Sequence, residues 1–428
     1  MSALTAQSRK IRVLFVAEAV TLAHVARPAA LAQALDPRQF EVHLAHHPRY
    51  RQLLGELPLL EHEIHSIAPT QFMQALATGS PLYDLATLNG YVEEDLNLIA
   101  KVQPDIIVGD FRLSLAVSAE MAAVPYVALS NAYWSPFSQQ DYVVPELPLT
   151  RTLGPTVGQW LFSLGRPFAF AMHCLPMHKL RRSHGLPSLG FNLRRVYTHA
   201  DYTLYADIPE LYRLRNLPPN HKFIGPVVWS PRDPHPDWWQ DLPGKSPVVY
   251  VTLGSSGNES LLPELIAALG KVDVTALVST AGGPLPQAVP DNVYLATYLP
   301  GEDAVKMASL VVCNGGSPST HQALTHGVPV IGLPSNLDQY LNMAAIVKTG
   351  AGRMIRAGTC HSAGLAKAIN EMLSDTASKA AARDLALLLG RYNTAQRFTD
   401  TINEIASRAG LRPELALAQP NAQGADIV

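Results

Sequence analysis

Short apolar runs rich in β-branched residues alternate with helix-like segments along most of this 428-residue chain, and this alternation limits the folds available to it. In the first half, "IRVLFVAE", "DIIVGD" and "PYVALS" are typical of strands, and "ARPAALAQAL" and "LSLAVSAEMAA" of helices. In the second half, "VVYVTLGSS", "VTALVST" and "LVVCNGG" predict strands, and "ESLLPELIAALGKV" and "STHQALTHG" predict helices. Such alternation predicts βαβ units, and therefore an α/β protein with parallel sheets.

The pattern is interrupted at residues 231–247, "PRDPHPDWWQDLPGKSP", which are rich in proline and turn-forming residues. The chain is also too long for one typical core. We therefore predict a first Rossmann-like domain at 1–230, a linker at 231–247, a second Rossmann-like domain at 248–400 and a C-terminal helix end and tail at 401–428. Ligands of such doubly wound sheets bind at the carboxyl ends of the strands, so two facing domains would share one interdomain cleft.

The composition excludes some partners. With 33 basic and 35 acidic residues the formal net charge is −2, so we expect no nucleic-acid partner. The three cysteines form no CxxC pair, which indicates a reducing compartment, and no signal-peptide pattern is present, so we expect a cytoplasmic protein.

The apolar stretch "WLFSLGRPFAFAMHCLPMHKLRR" is too interrupted by Arg166, Pro167 and Pro176 to span a bilayer. It predicts either a buried helix or an amphipathic one that lines a pocket or contacts a membrane surface.

Residues 313–339, "CNGGSPSTHQALTHGVPVIGLPSNLDQ", contain an unusual amount of turn-forming chemistry between two apolar segments. Gly315 and Gly316 allow a sharp turn and a close approach of the backbone to a ligand. Ser317 is a favoured N-cap, and Pro318 fits the first helical position. The next backbone amides would form an anion site suited to a diphosphate. An ordinary, well-capped strand-to-helix turn is the alternative.

This stretch resembles the donor-binding signature of the family 1 glycosyltransferases, in the branch similar to bacterial macrolide glycosyltransferases. The matching motifs are "NGGSPSTHQ", "GVP", "LP" and "DQ". The resemblance implies the GT-B fold, a nucleotide-sugar donor, a lipophilic small-molecule acceptor, no cofactor and no essential metal. The donor-binding residues that it implies are Gly254, Ser255, Ser256, Tyr298, Asn314, Gly315, Gly316, Ser317, Ser319, Thr320, Gln322, Asp338 and Gln339.

The resemblance also gives these residues roles. The turn at the start of "GSPST" and the "GSS" loop at 254–256 would hold the diphosphate, and Tyr298 would stack on the base. Asp338 and Gln339 would hydrogen-bond the sugar hydroxyls. Tyr298 is equally typical of a core tyrosine, and the Asp-Gln pair is also a reasonable start for the following helix.

Three positions depart from the family pattern. Asn314 replaces a histidine, Gln322 replaces the glutamate that holds the ribose hydroxyls, and Gly301 replaces a glutamine. An amide lacks the charge-assisted strength of a carboxylate. A UDP-sugar remains the expected donor, but a dTDP-sugar is a serious alternative because deoxyribose has no 2′-hydroxyl.

Transfer of a sugar to a hydroxyl requires a base for the acceptor proton. His24, in the turn "AHVARP", and Asp110, at the end of "PDIIVGD", resemble the family's catalytic dyad, with Ala23 for glycine and one extra residue before Pro28. We predict an inverting glycosyltransferase in which His24 is the base and Asp110 orients it. A dTDP-sugar transferase such as a rhamnosyltransferase, and a non-catalytic nucleotide-sugar-binding partner protein, remain open, as does a capping role for His24.

Overall fold

A computed structural model describes residues 9–231, 234–244 and 246–411 of the chain. Within these residues, seven strands build a first sheet: β1 Ile11–Ala17, β2 Phe40–His46, β3 Leu60–Glu63, β4 Ile106–Asp110, β5 Tyr126–Ser130, β6 Tyr202–Tyr205 and β7 His221–Phe223. Six further described strands build a second sheet: β8 Val248–Thr252, β9 Thr275–Ser279, β10 Val293–Ala296, β11 Ala308–Cys313, β12 Val330–Gly332 and β13 Gly352–Met354.

The strand orders are β3-β2-β1-β4-β5-β6-β7 and β10-β9-β8-β11-β12-β13, with parallel pairing throughout both ladders. In each sheet the chain first adds strands on one side of its first strand and then adds them on the other side. This change creates a topological switch point between β1 and β4 and another between β8 and β11. Central strands such as β4 and β9 are buried along their whole length because helices cover both faces. The predicted fold of two Rossmann-like α/β domains is confirmed.

Helices connect the strands. Those of the first domain are α1 Ala23–Ala32, α2 Arg51–Leu54, α3 Pro69–Thr78, α4 Leu85–Val102, α5 Leu115–Met121, α6 Pro148–Ser183 and α7 Leu193–Thr198. Those that follow β8 are α8 Leu262–Leu269, α9 Gly301–Met307, α10 Ser317–Thr325, α11 Leu337–Thr349, α12 Ser362–Ser374, α13 Thr376–Leu389 and α14 Thr394–Arg408. No helix among the described residues is long and apolar enough to cross a membrane.

The last helix, α14, returns to the first domain. Phe398, Ile402 and Ile405 belong to the core of the first sheet, and the Phe398 ring lies 5.8 Å from that of Phe15. The predicted boundary at residue 400 therefore falls inside a helix that belongs to the first domain. The predicted tail lies outside the described residues from 412 onward.

The predicted linker contains a short 3-10 helix, Asp237–Asp241, whose Trp238 and Trp239 pack against the core of the second domain. The chain crosses between the domains again after α13, and the two crossings touch. The Thr394 hydroxyl donates to the Pro226 carbonyl over 2.9 Å. A Cβ added at Gly225 would lie 2.6 Å from the Cβ of Tyr392, so only glycine fits there.

A buried ionic cluster joins the carboxyl ends of β1 and β4. Arg112, which is completely buried, forms ion pairs of 3.1 Å with Glu18 and 3.0 Å with Asp95. Its guanidinium also lies 3.6 Å from the ring centroid of Tyr91. Burial raises the pKa of both Glu18 and Asp95, although Arg112 opposes this shift. The cluster thus fixes the chain just after the ends of β1 and β4, where Arg112 follows Asp110 by two residues.

Replacing Arg112 with methionine should lower the free energy of unfolding by about 3–5 kcal/mol, because two buried carboxylates lose their positive partner. Denaturant unfolding monitored by circular dichroism measures this loss. Arg51→Met is the matched control, since Arg51 pairs with Glu61 and Glu63 at the surface, and it should leave the unfolding midpoint nearly unchanged. Equal effects of the two substitutions would contradict the role given to the cluster.

Candidate functional site

A cavity of about 690 Å³ lies between the two domains, at the carboxyl ends of both sheets. The predicted catalytic residues His24 and Asp110 line it from the first domain. The predicted donor residues that line it are Gly254, Ser255, Ser256, Tyr298, Asn314, Gly316, Ser317, Ser319, Gln322 and Asp338. The fold therefore brings together most of the residues that the motifs single out.

Three predicted donor residues do not line the cavity: Gly315, Thr320 and Gln339. They contact the residues that do line it, or the elements next to them. Gly315 adopts φ +81°, and a Cβ there would lie 2.6 Å from Cγ of Met343. The Thr320 hydroxyl donates to the Gly316 carbonyl over 3.0 Å. Gln339 forms a capping box at the start of α11, and its Nε2 donates to the Ser256 carbonyl over 3.0 Å. The structure thus gives Gln339 the helix-starting role that was its alternative.

The start of α10 differs from prediction in one respect. The N-cap is Gly316, not Ser317, which occupies the first helical position. The turn before the helix is fixed by the side chain of Asn314, because its Oδ1 accepts the Gly316 N–H over 2.9 Å. The first-turn amides of an α-helix have no carbonyl within the helix to donate to, so they remain suited to an anion.

A serine loop faces this helix start. Gly254 turns the chain with φ +61° after β8, and Asn314 Nδ2 donates to the Ser256 hydroxyl over 3.3 Å. Across the cleft, the Leu22 N–H donates to the hydroxyl of Ser255 over 3.1 Å. This bond places the N-terminus of α1, which carries His24, directly beside the serine loop of the other domain; His24 therefore lies on the helix and not in the turn predicted for it.

His24 and Asp110 are in contact. His24 Nδ1 lies 2.8 Å from Oδ1 of the fully buried Asp110. Arg27 binds the same carboxylate in a bidentate manner, with distances of 2.6 Å from Nε to Oδ2 and 2.8 Å from Nη2 to Oδ1. Burial by itself would raise the pKa of Asp110, but the charge of Arg27 and the hydrogen bond with His24 outweigh it and lower that pKa. An ionised Asp110 accepts from Nδ1–H, which leaves Nε2 of His24 to take up a proton.

Phe111 supports the imidazole from the side. Its ring stacks on His24 with a centroid distance of 4.8 Å and an interplanar angle of 15°. Its backbone adopts φ +58°, an uncommon value for a bulky residue that is typical of constrained functional turns. Sequence reasoning missed both Phe111 and Arg27. The three-residue spacing of His24 and Arg27 on α1 was the available signal, since it places them on one helix face.

Asp338 is held from the first domain. Trp134 Nε1 donates to its Oδ1 over 2.7 Å, and the Tyr133 hydroxyl donates to its Oδ2 over 3.2 Å. Burial raises the pKa of Asp338, and these hydrogen bonds only partly offset that shift. The residue predicted to bind the sugar thus bridges the two domains, a contact that sequence reasoning did not anticipate.

Two departures from the family pattern are neighbours in space. A Cβ added at Gly301 would lie 2.9 Å from Oε1 of Gln322, so the glutamine amide occupies the room that a side chain at 301 would need. Gln322 is 6 % exposed, and its Nε2 has no hydrogen-bond partner among the described residues. The side chain nevertheless belongs to the wall of the cavity.

This arrangement combines an anion cradle, a held imidazole and an enclosed space between them. Among the described residues, no group of three or more histidine, cysteine, aspartate or glutamate side chains is placed to hold a metal ion. Such an arrangement is suited to removing a proton from a hydroxyl that lies beside an anion at the start of α10.

Comparison with known proteins agrees with this geometry. Residues 263–388 match the model of the "Erythromycin biosynthesis protein CIII-like, C-terminal domain". The chain is 48 % identical to a PGL/p-HBAD biosynthesis glycosyltransferase of Mycobacterium tuberculosis over 90 % of each chain. It is 49 % identical to a PGL/p-HBAD biosynthesis rhamnosyltransferase of Mycobacterium bovis, over 90 % of this chain and 85 % of the relative.

Among solved structures, the spinosyn rhamnosyltransferase SpnG complexed with thymidine diphosphate superposes with a TM-score of 0.65 at 20 % identity, covering 92 % of this chain and 100 % of that one. This similarity identifies the fold as GT-B. The identity of 48–49 % to the mycobacterial enzymes over 90 % of the chain shows that it belongs to the same family of glycosyltransferases.

Proposed function

We propose that this glycosyltransferase transfers a deoxyhexose such as rhamnose from a dTDP-sugar to a hydroxyl of a lipophilic small molecule, with inversion at the anomeric carbon. The observation that carries the proposal is the pairing of His24 with the ionised Asp110, 2.8 Å apart, at the start of α1, where the Leu22 N–H donates to the hydroxyl of Ser255 in the serine loop. A base and a leaving-group site thus meet at the same end of the cleft.

The reaction is a single displacement. The acceptor oxygen attacks the anomeric carbon while Nε2 of His24 takes its proton, and the bond from that carbon to the diphosphate breaks on the opposite side. The imidazolium is stabilised by Asp110. The negative charge on the departing diphosphate is stabilised by the amides at the start of α10 and the serine loop, so the proposal needs no metal ion.

The acceptor side of the cavity is aromatic, which supports a lipophilic acceptor. Rings of the first domain line it close to His24, namely those of Phe72, Phe111, Trp134, Phe170 and Tyr197. Trp134 and Tyr197 lie edge to face at 5.0 Å, and Phe111 and Tyr197 at 5.4 Å. An apolar pocket with a few polar groups at one end is typical of small-molecule sites.

Three observations support a dTDP donor over the UDP donor expected from the family. The relative that is 49 % identical is named a rhamnosyltransferase, and the SpnG structure contains thymidine diphosphate. In this chain, the buried amide of Gln322 stands where the family has the carboxylate that holds the ribose hydroxyls. A neutral amide suits a sugar ring that offers one fewer hydroxyl.

His24→Ala should lower turnover by roughly a hundredfold or more while leaving the affinity for the nucleotide almost unchanged, because the donor loops belong to the other domain. Asp110→Asn should cause a smaller loss by misorienting the imidazole. Initial rates, calorimetric affinity and melting temperature are measured on the same preparations. His235→Ala, on the exposed linker, is the control and should keep full activity. A near-normal rate for folded His24→Ala would favour the non-catalytic binding partner.

Gly316→Val should abolish calorimetric binding of dTDP and UDP, because its side chain would occupy the space where the diphosphate meets the start of α10. A Cβ at this position already lies 3.2 Å from Oδ1 of Asn314. Gly316→Ala should cause an intermediate loss. Undiminished binding to a folded valine variant would mean that the diphosphate lies elsewhere.

Gln322→Glu should shift the preference from dTDP toward UDP by roughly tenfold, since a carboxylate makes charge-assisted bonds to a 2′-hydroxyl that an amide makes only weakly. Thermal-shift titrations with both nucleotides give the ratio of affinities. Gln322→Ala should weaken both nucleotides without changing their ratio. A wild-type protein that prefers UDP would overturn the dTDP assignment and leave His24 as the base unaffected.

A further inference from the structure

The long helix α6 carries a row of exposed apolar side chains, called here the α6 stripe. Its members recur every three or four residues on one side of the helix: Val157, Trp160, Leu164, Phe168, Met172 and Leu175. Trp160 is 66 % exposed, and Leu164 and Phe168 are each 72 % exposed. Contiguous apolar surface of this kind marks an interaction site, whereas single exposed apolar residues do not.

The opposite side of α6 already has its partners. Cys174, Met177 and Leu180 are buried in the first domain's core. Phe162 and Phe170 belong to the wall of the active-site cavity. The helix is therefore fixed to the domain by one face, and the α6 stripe faces outward.

All of the charged side chains of α6 are basic. The segment Pro148–Ser183 contains no aspartate or glutamate, but it contains five arginines and lysines. After Leu175 the same three- and four-residue spacing continues to Lys179 and Arg182, both of them exposed. The stripe thus changes from apolar to basic along a single helix face.

We propose that the α6 stripe docks on an anionic membrane surface, with its apolar residues at the level of the headgroups and with Lys179 and Arg182 bound to anionic headgroups. An amphipathic helix with aromatic residues on one face and basic residues beside them is typical of helices that lie in the membrane interface. Since no described helix could span a bilayer, the contact is peripheral.

A second copy of the chain is a poorer occupant. In an antiparallel two-fold contact, Lys179 and Arg182 of each copy would face the apolar part of the other stripe, which has no acidic side chain to pair with them. Anionic headgroups match both the apolar and the basic part of the stripe.

Sedimentation with lipid vesicles tests the proposal without donor or acceptor. The full-length protein should bind vesicles containing phosphatidylglycerol and bind pure phosphatidylcholine much more weakly. The triple variant Trp160→Ser, Leu164→Ser, Phe168→Ser should lose at least about a hundredfold in vesicle affinity. Lys179→Gln with Arg182→Gln should lose about 25-fold, since each basic residue near an anionic surface contributes about fivefold.

Leu387→Ser is the matched control, because Leu387 is 71 % exposed on α13 of the second domain, and it should bind vesicles like the wild type. Circular dichroism and nucleotide-induced stabilisation verify that the variants are folded. A wild-type protein that binds neither vesicle, or a folded triple variant that binds as well as the wild type, overturns the proposal. So does a dimer in gel filtration that the triple substitution splits, which would assign the stripe to a second copy.

Discussion

The carboxylate of Asp110 is the charge around which the first domain's side of the cleft is arranged. Asp110 is buried at the carboxyl end of β4. Without charged or hydrogen-bonding partners, burial there would raise its pKa and favour the neutral acid. Arg27 and His24 supply those partners. Because the carboxylate remains ionised, it determines which nitrogen of His24 bears the proton. The adjacent cluster of Arg112, Glu18 and Asp95 keeps the strand end in place.

The site exists only where the two domains meet. Leu22 bonds to Ser255, Asn131 lies 3.4 Å from Ser317, and Trp134 bonds to Asp338. These contacts are short and polar, so they fix orientation more than they add stability. Glu146 adds a contact at the rim, where it accepts from the Tyr340 hydroxyl over 2.8 Å and pairs with Arg356 over 2.7 Å.

The fold could be predicted from sequence because parallel βαβ units leave local signals: buried strands, turn glycines and helical spacing. The positions of His24 and Asp110 followed from the same logic, since the carboxyl ends of neighbouring parallel strands meet at one edge. Contacts between distant segments leave no such signal. Arg27 on Asp110, Trp134 on Asp338 and the return of α14 to the first domain depend on tertiary packing. The exchange at Gly301 and Gln322 was visible as two separate departures, but only the structure shows that they are neighbours.

The two chain crossings between the domains touch each other at Pro226 and Thr394. Two separate crossings would clamp the domains at two points and resist rotation, whereas two adjacent ones act like a single pivot. Of all relative movements of the domains, rotation about that point is therefore the one that the chain connections oppose least, whereas both crossings oppose sliding and separation. Such a rotation would part the start of α1, which carries His24, from the loop of Ser255, and its reversal would restore the same contact.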